Sequence, residues 1–162
     1  MIIRIASEED LETIHQLAHE IWWPTYQNFL PSEQISFMLN QMYSVDALKQ
    51  QNENSIKFLL AEIEDKPIAF AGLSLEDEQE KIFKLHKIYV LPLEQGKGTG
   101  KKLIEYIISL CKSDEGKILE LNVNRNNPAL GFYKKLGFEI YKEVDIPYYE
   151  FILNDYVLRI KL

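Results

Sequence analysis

IYVLPLEQGKGTGK, residues Ile88–Lys101, reads as the end of a strand, a proline, and a three-glycine turn that opens a helix. Ile88, Tyr89 and Val90 have the β-branched and aromatic side chains of a buried strand. Pro92 has no N–H to give a ladder, so it marks the strand's exit. Gly96, Gly98 and Gly100 fall at every second position. Glycine reaches positive φ without a steric penalty, so alternating glycines let successive N–H groups point into one concavity. The helix that follows, from about Gly98, adds unpaired N–H groups and the positive end of its dipole. Lys97, Lys101 and Lys102 surround the concavity with charge. The combination predicts a phosphate or pyrophosphate site; the plainer alternative is a glycine-rich turn into an ordinary helix. A P-loop is ruled out, because the fifth residue after Gly96 is Lys101 and no Gly-Lys-Ser/Thr follows. The dinucleotide fingerprint G-x-G-x-x-G also fails, since its third glycine would fall on Lys101 or Leu103.

The remaining composition narrows the class. A chain of 162 residues suits one domain with a real core. Its hydrophobic content of 46% and charged content of 27% are ordinary for a globular protein. No apolar run approaches the roughly 18 residues needed to span a bilayer. The start, MIIRIASEED, lacks the pattern of a signal peptide. The one cysteine, Cys111, leaves no intrachain disulfide, and a cytoplasmic location is expected. A net charge of −7 argues against general nucleic-acid binding and mildly favours a cationic substrate.

Ile2–Ile5 is predicted as the first strand. Ser7 then caps a helix, with Asp10 completing an imperfect capping box. That helix runs to about Trp22, with Leu11, Ile14, Leu17, Ala18 and Ile21 on one face. Pro24 stops it or starts a new element. Trp22, Trp23, Tyr26 and Phe29 cluster around that break, as core staples or as the lining of a pocket. Ser32 and Ser44 open two more helices, and Gln50–Ser55 reads as a loop. Strands at Lys57–Ile63, Ile68–Leu75 and Lys81–Val90 form a meander with a tight turn at Asp65-Lys66. A helix over Gly98–Lys112 buries Leu103, Ile104, Ile107, Ile108 and Cys111, so the thiol is packed rather than nucleophilic. A strand at Lys117–Asn124 precedes a helix over Ala129–Leu136 that starts around Pro128 and ends at Gly137. Phe138–Val144 and Tyr149–Lys161 close the chain as strands, with a turn at Asn154-Asp155. This order is α+β with one βαβ-like crossover. A cofactor would sit at the carboxyl ends of the two parallel strands, Lys81–Val90 and Lys117–Asn124.

Gln95-x-x-Gly98-x-Gly100 after a strand and a proline resembles the acetyl-CoA pyrophosphate loop of the GCN5-related N-acetyltransferases, the GNAT family. About thirty residues on, NNPALGFYKKLGF (Asn126–Phe138) matches that family's N-x-x-A-x-x-F-Y-x-K-x-G-F. The resemblance covers Ile56 to the C-terminus. It implies a mixed, mostly antiparallel central sheet of about seven strands with helices on both faces, and a single N-acetyltransferase domain over residues 1–162. It also implies a direct transfer of acetyl from acetyl-CoA to an amine, with no metal. Carried over residue by residue, Tyr133 would protonate the departing thiolate. The alternative for Tyr133 is a helix aromatic packed on the sheet. The backbone of Ile88, Tyr89 and Val90 would pair with the pantetheine arm and supply an oxyanion donor. Gln95, Gly96, Lys97, Gly98, Thr99, Gly100 and Lys101 would hold the pyrophosphate. Asn126 and Asn127 would hydrogen-bond the pantetheine, and Lys135 would reach the phosphates or lie in solvent.

The resemblance leaves the general base open. His86 has a suitable intrinsic pKa and is the first candidate as base or relay, against a plain place on the sheet surface. Tyr149 and Glu150 are the others. His15 and His19 sit one turn apart, yet no carboxylate pattern accompanies them, so they read as a solvent face rather than a metal site. WWPTYQNFLPSEQISFMLNQMYS (Trp22–Ser44) resembles the corresponding segment of bacterial spermidine/spermine N-acetyltransferases, which implies a small amine acceptor, a polyamine first. The open alternatives are acetylation of a protein N-terminus or lysine, and a non-catalytic acetyl-CoA-binding module. A homodimer stays open, since the oligomeric state is not legible in the chain.

Overall fold

Strand chemistry and helix periodicity give fourteen short elements, of which twelve build the fold. The computed structural model describes all residues, Met1–Leu162. In chain order they are β1 (Ile2–Ile5), α1 (Leu11–Tyr26), α2 (Ser32–Tyr43), α3 (Val45–Glu53), β2 (Lys57–Ile63), β3 (Lys66–Asp77) and β4 (Ile82–Val90). Then follow α4 (Thr99–Ser113), β5 (Ile118–Asn124), α5 (Ala129–Lys135), β6 (Glu139–Tyr148) and β7 (Phe151–Lys161). Single 3₁₀ turns precede α1 at Glu8–Asp10 and follow β4 at Pro92–Glu94. The strands form one seven-stranded sheet in the order β1-β2-β3-β4-β5-β7-β6. Only β4 and β5 are parallel neighbours, so the architecture is the expected α+β one.

The run Phe58–Ala61 is apolar at every position because both faces of the sheet are covered. Leu59 and Ala61 face a core shared with Leu103, Ile104, Ile107 and Cys111 of α4 and Tyr133 of α5. Phe58 and Leu60 face a second core built by α1, α2 and α3. The apolar face read for α4 is the buried one, and Cys111 is fully buried in it, with desolvation pushing its thiol up to about 12.

Several boundaries differ from the sequence reading, each for a local reason. Pro24 does not stop α1, which runs on to Tyr26. The proline falls in the last turn, where few bonds remain to lose, and Thr25 Oγ1 donates to the Ile21 carbonyl at 2.7 Å. α3 absorbs Gln50–Glu53, because Leu48 anchors it and Gln51 Nε2 donates to the Met42 carbonyl at the end of α2. The β2–β3 turn is Glu64-Asp65, one residue earlier than read, with φ of 50° and 60°. β3 extends through Glu76 to Asp77 by pairing with Ile82. The final hairpin turns at Tyr149-Glu150, not at Asn154-Asp155. Asn154 and Asp155 stay in the ladder because neighbouring strands satisfy their side chains: Asn154 Nδ2 donates to Asp145, and Asp155 accepts from Asn122 Nδ2.

Candidate active site

β4 and β5 pair from Ile82 to Leu85 and then part, although both continue towards their carboxyl ends. The parting coincides with a bulge. Gly72 of β3 pairs with Lys87 and Leu73 with Leu85, so His86 is an extra, unopposed residue. The bulge also reverses the phase of the strand. Phe83 and Leu85 point to the α4 core before it, and Ile88 and Val90 do so after it, while Lys87 and Tyr89 turn to the α1–α2 side. Leu91 N–H donates to the Ile68 carbonyl of β3. By ladder alternation, Tyr89 bonds towards β3 and the N–H groups of Ile88 and Val90 face the gap.

The gap leads to the glycine loop. Gly96 and Gly98 have φ of 75° and 84°, and nothing lies within 4 Å of where a Cβ would stand. Gly98 is the N-cap of α4, whose first internal bond runs from Lys102 N–H to the Gly98 carbonyl. The N–H groups of Gly96 through Lys101 therefore find no acceptor in the protein. No acidic residue lies in the first turn of α4. Six consecutive free donors at a helix N-terminus fit an oligophosphate group. Gly100 serves differently: a Cβ there would meet Phe132 Cζ of α5 at 3.2 Å, so its absence lets α5 close against α4.

These features open into one cleft of about 1230 Å³. Tyr133 of α5 reaches into it; burial raises its pKa well above the ordinary phenol value, and no hydrogen bond holds its hydroxyl. Tyr26 and Tyr89 lie near enough to feel its charge, and their own hydroxyls are 2.9 Å apart. Beyond them lies the α1–α2 half of the cleft, lined by Gln34, Met38, Met42, Tyr43, Lys87 and Asp155. Asp155 is the one carboxylate on the wall, and desolvation raises its pKa. The tip of the β6–β7 hairpin packs against α2 beside this half: Phe37 of α2 lies edge-on against Tyr148 and Tyr149 and contacts Phe151.

The residues named from sequence distribute unevenly around the cleft. Ile88, Tyr89, Val90, Gln95, Gly96, Gly98, Gly100, Lys101, Asn126, Asn127, Tyr133 and His86 line it. Gln95 is occupied in part, its Nε2 donating to the Val90 carbonyl at 3.0 Å. Asn127 Oδ1 accepts from Ala129 N–H and caps α5, leaving Asn126 with the free side-chain amide. Lys97 is tied to Glu94 at 3.0 Å, Thr99 is buried at the start of α4, and Lys135 is exposed; none of the three lines the cleft. His86 donates to or accepts from Ser74 Oγ at 2.8 Å through Nε2. Desolvation together with Lys87 and Lys84 draws its pKa down to about 4. Tyr149 and Glu150 form the hairpin turn outside the cleft wall. His15 is not a free solvent residue, since Nδ1 sits 2.6 Å from the Tyr43 carbonyl at the end of α2. Two wall residues escaped the sequence reading. Asp155 was hidden in an apparent turn, and Lys87 by the alternation that the bulge reverses.

Comparison with known proteins follows the same lines. The model of the acetyltransferase (GNAT) family matches residues 14–138. The spermidine N(1)-acetyltransferase of Thermoplasma acidophilum is 30% identical over 144 residues, 85% of this chain and 88% of that protein. An uncharacterised N-acetyltransferase of Methanocaldococcus jannaschii is 34% identical over 87 residues, and the match spans only 38% of that protein's length. The crystal structure of the PaiA N-acetyltransferase of Thermoplasma acidophilum, in complex with coenzyme A, aligns over the whole of both chains with a TM-score of 0.82 and 28% identity.

Proposed function

The chain belongs to the GNAT family of acetyl-CoA-dependent N-acetyltransferases, and from that premise we propose that residues 1–162, as one domain, acetylate a primary amine of a small molecule, with a polyamine as the leading acceptor. The observation that carries the reading is the β4–β5 gap, which joins the glycine loop, through Gly96, Gly98, Gly100 and Lys101, to Tyr133 in one cleft. Acetyl-CoA supplies a thioester whose acetyl carbon accepts the amine and whose thiolate departs. Gly96–Lys101 would hold its pyrophosphate, and Asn126 together with the Ile88 and Val90 backbone its pantetheine arm. An N–H of Ile88 or Val90 then stands where negative charge grows on the acetyl oxygen. The Tyr133 hydroxyl gives its proton to the departing sulfur, and the second proton of the attacking nitrogen, shed as the amide forms, restores the phenol. Its raised pKa keeps it protonated throughout the working range, so it acts only when a thiolate develops beside it.

The acceptor half supports a small cation. Asp155 is a carboxylate suited to an ammonium group, and the aromatic walls of Tyr26, Tyr43 and Tyr89 suit an aliphatic chain bearing cationic groups. The likeness to the spermidine enzyme of Thermoplasma acidophilum points the same way. A protein-acetylating enzyme needs an open groove; here the β6–β7 hairpin packs against α2 beside the acceptor half, which favours a small acceptor. No helix is long and apolar enough to cross a membrane. The test is thiol release from acetyl-CoA against spermidine, spermine, aminoglycosides, amino acids and N-terminal peptides. Turnover of the polyamines above the rest is expected. Preference for peptides would move the assignment to protein acetylation, and tight acetyl-CoA binding without any turnover would move it to a binding module.

A further inference from the structure

An amine acceptor arrives as an ammonium ion and must lose a proton before it can attack. The titratable groups on the cleft wall are Tyr26, Tyr43, His86, Lys87, Tyr89, Lys101, Tyr133 and Asp155. The four tyrosines are all raised above the ordinary phenol value by burial and hold their protons. Lys101 sits in the glycine loop and pairs loosely with Glu105 at 3.8 Å. His86 binds a proton too weakly, being desolvated and close to Lys87 and Lys84. Asp155 accepts from Asn122 and is suited to hold a cation. Lys87 remains.

Lys87 is set in place by the bulge. Its stem lies across Gly72, whose missing Cβ would stand 3.5 Å from Lys87 Cδ. Its Nζ stands over the Tyr43 ring, 5.3 Å from the centroid. Among the groups of the cleft it touches Tyr43 of α2 and lies next to His86 on β4, while Tyr26, Tyr89, Tyr133 and Asp155 line the same cleft. It makes no ion pair, while Lys84, two ladder steps earlier, is neutralised by Glu120 at 2.7 Å. It is thus a half-buried lysine without a carboxylate partner on the cleft wall. We infer that Lys87, three residues before Val90 and one side chain from Tyr89 on the same strand face, is the general base that takes the proton of the acceptor ammonium. The inference rests on the proposed function. In the step, one ammonium N–H bond breaks and its electron pair stays on the acceptor nitrogen. The Nζ lone pair of neutral Lys87 binds the proton and later loses it to water, so one proton leaves per acetyl transferred. Desolvation lowers the lysine's pKa to about 8, which makes the neutral amine available near physiological pH.

The experiment has two readouts. In the free protein labelled with ¹³Cε-lysine, the resonance absent from Lys87→Met should titrate near 8, below the free-lysine value of about 10.4. A Lys87 resonance titrating at the free-lysine value overturns the inference. In steady state with the acceptor chosen by the amine panel, kcat/KM of the wild type should climb with pH through about 8 and then level. Lys87→Met should fall roughly a hundredfold or more and rise instead up to the acceptor's own pKa, and its defect should shrink with a β-fluorinated amine that is already neutral. Lys87→Arg keeps the charge but cannot become neutral, so it should not rescue; a rescue would make Lys87 an anchor for an anionic acceptor group and overturn the inference. Turnover by Lys87→Met with an unchanged pH limb overturns it as well. Absence of turnover with every amine overturns the proposed function along with it, whereas turnover with an ordinary Lys87 resonance overturns this inference alone.

Discussion

At the Tyr133 hydroxyl, one oxygen atom separates a structural role from a chemical one. It has no protein partner, so its removal leaves no buried group unsatisfied. Tyr133→Phe should therefore keep its melting temperature and its affinity for acetyl-CoA, while kcat drops by roughly a hundredfold. An unchanged kcat removes Tyr133 as the acid. Gly98 makes the complementary case on the cofactor side. Its φ of 84° is in the left-handed region, yet open space surrounds the Cβ position. A valine there meets no clash in the free protein; it meets the backbone penalty, about 1–2 kcal/mol or more for a β-branched residue, and it fills the concavity. Gly98→Val should fold but lose acetyl-CoA binding by calorimetry. Tight binding by that variant would show that the six free N–H groups serve some other purpose.

Elements show where the sequence was transparent and where it was not. The strand–glycine loop–helix unit was legible because each step has its own chemical marker: Val90, Pro92, Gly96, Gly98, then the apolar stripe of α4. The acceptor half was not. A strand's faces are read by counting in twos, and the bulge at His86 adds one, so Lys87 and Tyr89 exchange faces with Ile88 and Val90. No residue type announces that bulge. Asp155 was missed for a related reason. Asn-Asp is turn chemistry in a local window, but Asn122 and Asp145 on neighbouring strands supply partners that a local window does not contain. The packing of the β6–β7 hairpin on α2 beside the cleft is likewise a long-range product, since the two meet more than a hundred residues apart. Phe37→Ala should loosen that contact. Each aromatic pair contributes about 0.5–1.5 kcal/mol, so KM for the amine should rise several-fold with acetyl-CoA affinity unchanged. Equal changes in both would mean that the hairpin holds the whole cleft rather than its acceptor half.

The whole molecule is a sheet between two cores, and the cleft is the place where the sheet opens so that a group on one side can meet a group on the other. Keeping that opening fixed requires α1 to be anchored to the sheet edge. Arg4 of β1 does this by forking to Asp10 at the entry of α1 and to Glu62 of β2, at 2.7 and 2.8 Å. The Arg4 guanidinium, aided by the Ser7 N–H and hydroxyl, holds the Asp10 carboxyl well below its usual range. Glu120, between Lys84 and Arg159, is lowered too, while Asp155 is raised by burial. The signs differ accordingly. A lowered carboxyl stabilises the fold above its unfolded pKa, near 4, and that stability is lost as pH falls towards its folded value. A raised one opposes folding when ionised and is relieved by acid, so Asp155 works against the other two. Asp10→Asn should lower the melting temperature at pH 7 by roughly 3–8 °C, from the loss of charged hydrogen bonds in a domain of this size. The wild type should then lose its advantage as pH drops below about 4, the two melting curves converging towards pH 2. If the difference between them stays constant across that range, the Asp10 charge does not anchor α1, and the packing of Leu11, Ile14 and Ala18 on the sheet is what holds the cleft in shape.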